Sequence, residues 1–287
     1  MSLRPRAVRT WLLACLLAVL LPVLAAPAAS ASPVLASTAA PARGHVIVVG
    51  LSGLRWSDVS PSATPALWRL AGQGSVGDLV DYAVKPLTCP ADGWLTLNAG
   101  ARAQSDHTNA ACGAFPGVTT AGAGAAVPGL AALETYNQQF HNDPHWGLLA
   151  GAASCSTAVG PGGALALAGR DGQVASYLPS PGQLTATVLA RCPLTVVDLG
   201  VLGSTERARA LATADTELAR LVADAPAGST ILVTAPGATS KPPHLQLALV
   251  SGPGYQAGLL HAASTRQPGL VVLTDLNATV LGWLGRT

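Results

Sequence analysis

His45-Val46-Ile47-Val48-Val49-Gly50-Leu51-Ser52-Gly53 is the stretch from which the fold is read. Four consecutive β-branched apolar residues, Val46 to Val49, suit a strand buried on both faces, as in a parallel sheet. Gly50 to Gly53 supply a turn at its C-terminal end. Downstream, Thr64-Pro65-Ala66-Leu67-Trp68-Arg69-Leu70 opens a helix with Thr64 as N-cap and Pro65 at the first helical position, ended by Gly72 or Gly74. Residues 146–153 read as a helix, 156–159 as a strand, and Gly160-Pro161-Gly162-Gly163 as a turn. Residues 195–199 read as a strand, and 205–224 as an amphipathic helix with Leu211, Leu218, Leu221 and Val222 on one face. Three more strands are expected over 231–234, 245–250 and 270–273, and Thr274-Asp275 caps a final helix through residue 284. This alternation predicts an α/β domain with a largely parallel central sheet flanked by helices. No internal repeat is present, and the 31 Gly and 22 Pro fit long connections around a rigid sheet.

Upstream of that domain, Arg4, Arg6 and Arg9 precede an apolar stretch over 11–23 and a small-residue segment ending Ala29-Ser30-Ala31. These are the three parts of a cleavable signal peptide over 1–31. The apolar stretch falls short of the roughly 20 residues a membrane span needs. Residues 32–43, rich in Ala, Ser, Pro and Thr, read as a disordered leader, and 44–287 as a single domain. Cleavage leaves 13 Lys and Arg against 14 Asp and Glu, a formal net charge of −1 in place of +2. With Lys85 and Lys241 as the only lysines, no basic cluster of the kind nucleic acid requires is present. Of five cysteines, Cys15 leaves with the signal peptide. An even set in an exported chain points to disulfides, and the absence of C-x-x-C argues against structural zinc. Three pairings are open. Cys89–Cys112 and Cys155–Cys192 are favoured, since each closes a modest loop and brackets one section of the chain.

Other constellations are weaker. His141, Asp143 and His145 form an H-x-D-x-H cluster of metal-friendly side chains, but Pro144 breaks any helical spacing and the stretch reads as an exposed turn. Gly50-Leu51-Ser52-Gly53-Leu54 lacks the second glycine of a nucleophile elbow. Gly160 to Gly163 lack the lysine of a phosphate loop. His107, between Asp106 and Asn109, reads as a solvated loop residue, and the dispersed tryptophans as core or helix-packing residues.

Four segments, in order, resemble the alkaline phosphatase superfamily of phosphatases, nucleotide pyrophosphatase/phosphodiesterases, sulfatases and phosphoglycerate mutases. They are the strand and turn over 46–56, the helix over 64–74, Thr88-Cys89-Pro90 running into Trp94-Leu95-Thr96-Leu97-Asn98-Ala99-Gly100, and Leu273-Thr274-Asp275-Leu276-Asn277-Ala278-Thr279-Val280-Leu281. The resemblance, to exported actinobacterial-type members, implies an alkaline-phosphatase-like fold. It also implies a nucleophile at Thr88, on a helix N-terminus where the dipole and divalent metal assist attack on an anionic ester.

The sequence departs from that pattern at the metal ligands. Ser52 stands where the family has Asp, and Thr234-Ala235-Pro236-Gly237-Ala238 where it has Asp-His-Gly. Asp198 and His244 are the remaining metal candidates, too few for a tight zinc site. The expectation is an exported domain without a resident cofactor, acting as a non-catalytic binding or cell-envelope module toward an envelope ligand or protein. Two alternatives stand beside it. One is an active phosphate- or sulfate-ester hydrolase using Thr88 with Zn, Ca, Mg or Mn. The other is a purely structural module of the envelope. The C-terminus leaves two readings open, a naturally short secreted protein or a truncated form of one anchored in the membrane.

Overall fold

The computed structural model describes residues 44–239 and 244–286. The expected signal peptide and leader lie outside the described residues. In chain order the elements are strand β1 (Val46–Ser52), helix α1 (Pro65–Gln73), strand β2 (Ser75–Val80), helix α2 (Pro90–Ala99), strands β3 (Thr119–Ala121) and β4 (Gly124–Ala126), and helix α3 (Leu130–Asn137). Then come strand β5 (Ser156–Val159), helix α4 (Gly160–Ala166), strands β6 (Gln173–Val174), β7 (Tyr177–Leu178) and β8 (Leu194–Val201), and helix α5 (Arg207–Asp224). Strands β9 (Thr230–Thr234), β10 (Gln246–Ser251), β11 (Gly258–Leu259) and β12 (Leu270–Val272) lead into helix α6 (Leu273–Trp283).

The main sheet runs β11-β2-β10-β9-β1-β8-β5-β7, with β12 also paired to β2. From β9 to β7 every pairing is parallel. Strand β10 is antiparallel to both β9 and β2. Strands β3, β4 and β6 form a separate small antiparallel sheet. The architecture is therefore the expected α/β one, with helices on both faces of a mostly parallel sheet.

Strand β1 sits mid-sheet and is buried along its whole length, which is why its sequence is apolar rather than alternating. Its odd-numbered residues, Ile47, Val49 and Leu51, pack with Leu67 and Leu70 of α1 and Leu211, Leu218 and Leu221 of α5. Val46 and Val48 face the opposite core, shared by α2, α4 and α6. Helix α2 is buried at all ten positions, so its polar residues need internal partners. Asn98 Nδ2 donates to the carbonyls of Leu165, Ala166 and Ala168, tying α2 to α4. Asn277 Nδ2 of α6 donates to Leu97 O.

Both expected disulfides are present, Cys89–Cys112 and Cys155–Cys192, with Cα–Cα distances of 5.5 and 5.2 Å. Several local expectations are corrected. Residues 146–153 hold turns and a single 3-10 turn (Ala150–Ala152), not an α-helix. Gly160 to Gly163 form the first turn of α4, with Pro161 in the first turn and Gly160 at φ +72°, a conformation glycine adopts without steric cost. The last helix starts at Leu273, because Asp275 accepts a hydrogen bond from Val272 N at 3.0 Å. Thr64 holds the N-cap position of α1, but its hydroxyl donates to Asp58 O at 3.0 Å. Buried Asp215 of α5 instead accepts from Ala66 N and Leu67 N at 3.0 and 2.9 Å. Trp68 is half exposed rather than core. Among the described residues no helix is long and apolar enough to cross a membrane.

Candidate functional site

Side-chain alternation sets the site. On β1, Val46 and Val48 face α2, so Ser52 does too. The same parity holds for Asp198 beyond Val196 on β8, Thr234 beyond Leu232 on β9, Gln246 before Ala248 on β10, and Asp81 beyond Leu79 of β2. Asp81 just past β2, Gln246 at the start of antiparallel β10, Thr234 and Ser52 at the ends of β9 and β1, and Asp198 within β8 therefore lie on five neighbouring strands toward the carboxyl edge of the sheet, on the face that carries α2. Crevices at this edge are where open α/β sheets bind ligands.

The N-terminus of α2 closes that row. Cys89 is its N-cap, and Asp92 in its first turn accepts four hydrogen bonds. Asp92 Oδ2 takes Cys89 N at 2.8 Å and His107 Nε2 at 2.7 Å, while Oδ1 takes Ser105 N and Ser105 Oγ, each at 2.7 Å. His107 is buried, so its expected place in a solvated loop is corrected. Its Nδ1 lies 2.6 Å from Thr108 O. Both ring nitrogens face oxygen acceptors, the arrangement in which a doubly protonated ring satisfies both. The bond to Asp92 is the main cause that raises the His107 pKa, against burial. Sequence reading missed this pair, since nothing local in residues 105–109 marks them as buried.

Thr88, the expected nucleophile, is also buried. Its Oγ1 accepts from Ala83 N and its carbonyl from Ala238 N, both at 2.9 Å. The 235–238 segment, where the sequence resemblance leads one to expect Asp-His-Gly, packs main chain against the helix. A side chain at Gly93 would meet Pro236 O, and one at Gly237 would meet Cys89 O at 2.6 Å. Gly53 N donates to Gly237 O at 2.7 Å, joining the same segment to the turn after β1.

The two weaker metal candidates are placed apart. Asp198 accepts from Gly162 N and Gly200 N, both at 2.8 Å, and so anchors the start of α4. Burial pushes its carboxyl pKa up, against those two bonds. His244 Nε2 lies 3.3 Å from Gln246 Nε2. Strands β9 and β1 intervene between β10 and β8, so the two candidates stand three strand spacings apart, about 14 Å at ~4.8 Å each. Asp81 was not anticipated as a site residue. Burial pushes its pKa to about 7, reinforced by the Asp92 charge, although its own backbone and the Gln246 amide bond the carboxylate.

Among the described residues, one set of three ligand atoms lies within 4.8 Å of one another, from Cys89, Asp92 and His107. Cys89 is in a disulfide, both ring nitrogens of His107 already face oxygen acceptors, and Asp92 takes four hydrogen bonds, so this set does not fit a cation. In the H-x-D-x-H stretch, His145 Nε2 is 3.9 Å from Asp143 Oδ2, both side chains are exposed, and no metal-sized cluster forms. Ser52 Oγ, Thr234 Oγ1 and Gln246 Oε1 are buried without a hydrogen-bond partner.

No family model matches the sequence, and no curated protein matches it. Solved structures do. The PH0037 protein from Pyrococcus horikoshii is 10% identical, with a TM-score of 0.50 over 85% of this chain and 97% of that one. An inactive form of murine ectonucleotide pyrophosphatase/phosphodiesterase 5 in complex with AMP is 11% identical, at 0.49 over 85% and 96%. A protein in the alkaline phosphatase superfamily from Vibrio parahaemolyticus is 12% identical, at 0.49 over 85% and 67%. Likeness at these identities concerns architecture alone, and what the chain shares with the PH0037 protein is the mixed α/β fold built on a large, mostly parallel sheet.

Proposed function

We propose that this is an exported alkaline-phosphatase-like domain that binds a ligand or protein of the cell envelope and does not hydrolyse esters. The observation that carries the reading is Asp92. The positive end of α2, which the superfamily offers to an anionic substrate, is here met by an internal carboxylate with four donors. The metal-ligand positions support the same reading, with Ser52 and the 235–238 segment lacking ligand carboxylates and imidazoles and Asp198 engaged by backbone N–H groups.

One observation favours hydrolysis instead. The buried oxygens of Ser52, Thr234 and Gln246 lack partners on the α2 face of the sheet, and Asp81 beside them titrates near neutrality. The full chain, purified and analysed for bound metal, is assayed on p-nitrophenyl phosphate, bis(p-nitrophenyl) phosphate and p-nitrophenyl sulfate with Zn²⁺, Mg²⁺, Mn²⁺ or Ca²⁺. The expected result is substoichiometric metal and no turnover above buffer. Stoichiometric metal with turnover abolished by Thr88→Ala would establish the hydrolase. Export is tested separately, by N-terminal sequencing of secreted protein, with Ser32 expected first.

A further inference from the structure

The H-x-D-x-H stretch borders a cleft of about 380 Å³. Glu134 and Gln138 line it from the C-terminal end of α3, Asn142 and Trp146 from the following loop, and Arg170 from the turn before β6. The loop is pinned to the far end of α2 from Thr88. His145 N donates to Ala99 O at 3.0 Å, and Gly147 N to Asn98 Oδ1 at 2.8 Å. At 1.5 Å per residue, a ten-residue helix puts the cleft about 15 Å from the carboxyl-edge site.

The lining is rich in groups that the fold itself does not use. Glu134 Oε1 is buried without a hydrogen-bond partner. Glu134 also lies toward the C-terminus of α3, whose last turn holds no basic residue, where the helix dipole disfavours a carboxylate. Among the described residues, the side chains of Gln138, Asn142 and Arg170 make no hydrogen bond or ion pair. Trp146 packs against the core and is half-buried, so its ring is held in place at the wall. His141 and Asp143 flank Asn142, both at positive φ (54° and 50°), which few non-glycine residues adopt.

We infer that this cleft binds a neutral saccharide. Arg170 is the one Lys or Arg in the lining, against two carboxylates, Glu134 and Asp143, which works against phosphate or sulfate esters. Planar amide, carboxylate and guanidinium groups together donate to and accept from adjacent hydroxyls. An aromatic wall takes the apolar face of a pyranose ring. The inference goes beyond the reading of the domain as a binding module and stands whether or not Thr88 reacts.

The test is calorimetric titration of the full chain with cellobiose, maltose and N,N′-diacetylchitobiose, with glycine, glutamate and inorganic phosphate as contrasts. Saturable 1:1 binding of at least one disaccharide is expected, weakened about tenfold or more by Trp146→Ala and by Glu134→Gln. Glu134→Gln is expected not to lower the melting temperature, so its loss of binding is not loss of fold. Thr88→Ala should leave the affinity unchanged. The inference is overturned if no disaccharide binds, if the two cleft variants bind as wild type does, or if only a contrast ligand binds.

Discussion

His107 and Asp92 together form a buried charge pair, and burial makes their worth conditional on pH. A histidine whose folded pKa is raised above 6.5 contributes stability that is complete below the unfolded pKa and lost as pH rises through the folded value. Removing the imidazole leaves buried Asp92 with three of its four donors, at a cost of about 1–3 kcal/mol. His107→Ala is therefore expected to lower stability by that amount near pH 6, with the difference from wild type shrinking at alkaline pH, as read by urea unfolding across pH. Asp81 has the opposite chemistry but the same slope. An acid raised from 3.8 to about 7 on folding binds its proton more tightly in the native state, so stability falls as pH climbs between those values. Asp81→Asn should remove that fall and stabilise the domain at pH 8 relative to wild type. A variant whose stability fell in parallel with wild type from pH 4 to 8 would show that Asp81 does not titrate there.

Between elements, the decisive contact is backbone on backbone. Helix α2 approaches the segment after β9 so closely that Gly93 touches the Pro236 carbonyl, while Gly237 lies against Cys89 O. Two glycines thus let a strand-end segment seat on a helix N-terminus. A methyl at position 93 has no flexible side chain to displace, only a main-chain carbonyl. Gly93→Ala is expected to destabilise by about 1–3 kcal/mol, the usual cost of overpacking a filled core. Gly72→Ala, on the same scale of change, meets nothing within 4 Å and serves as its control. Equal chemical-denaturation midpoints for the two variants would rule out the tight contact. The small residues of 234–238 are consistent with this packing role, which accounts for their lack of ligand side chains.

Across the whole molecule, what was legible in the sequence was whatever burial writes locally. The apolar runs of β1, β8 and β9, the amphipathic stripe of α5 and the start of α1 are set by near neighbours. Strand β2 was missed because Ser75-Val76-Gly77-Asp78-Leu79-Val80 is only partly buried and mixes Gly and Asp into its pattern. The Asp92–His107 pair was missed because it spans 15 residues, and a polar stretch around His107 looks solvated until tertiary structure covers it. The two disulfides express this difference in physical terms. Cys155–Cys192 joins the approaches to β5 and β8 at the edge where those strands begin, and Ser156 pairs with Leu194 in register. Cys89–Cys112 lies at the opposite edge and holds the 100–118 connection, with Ser105 and His107, against α2. Their sequence separations of 37 and 23 residues predict losses of about 3–4 kcal/mol each on removal, from loop-closure entropy. Serine pairs at 155/192 and at 89/112 should therefore unfold at similarly reduced urea concentrations, yet differ at His107. Loss of Cys89–Cys112 frees the segment that presents the imidazole to Asp92, so the His107 pKa measured by NMR should drop toward 6.5. Loss of Cys155–Cys192, across the sheet, should leave it raised. A His107 pKa that moved equally in both variants would mean that the pair is held by the domain as a whole and not by its adjoining disulfide.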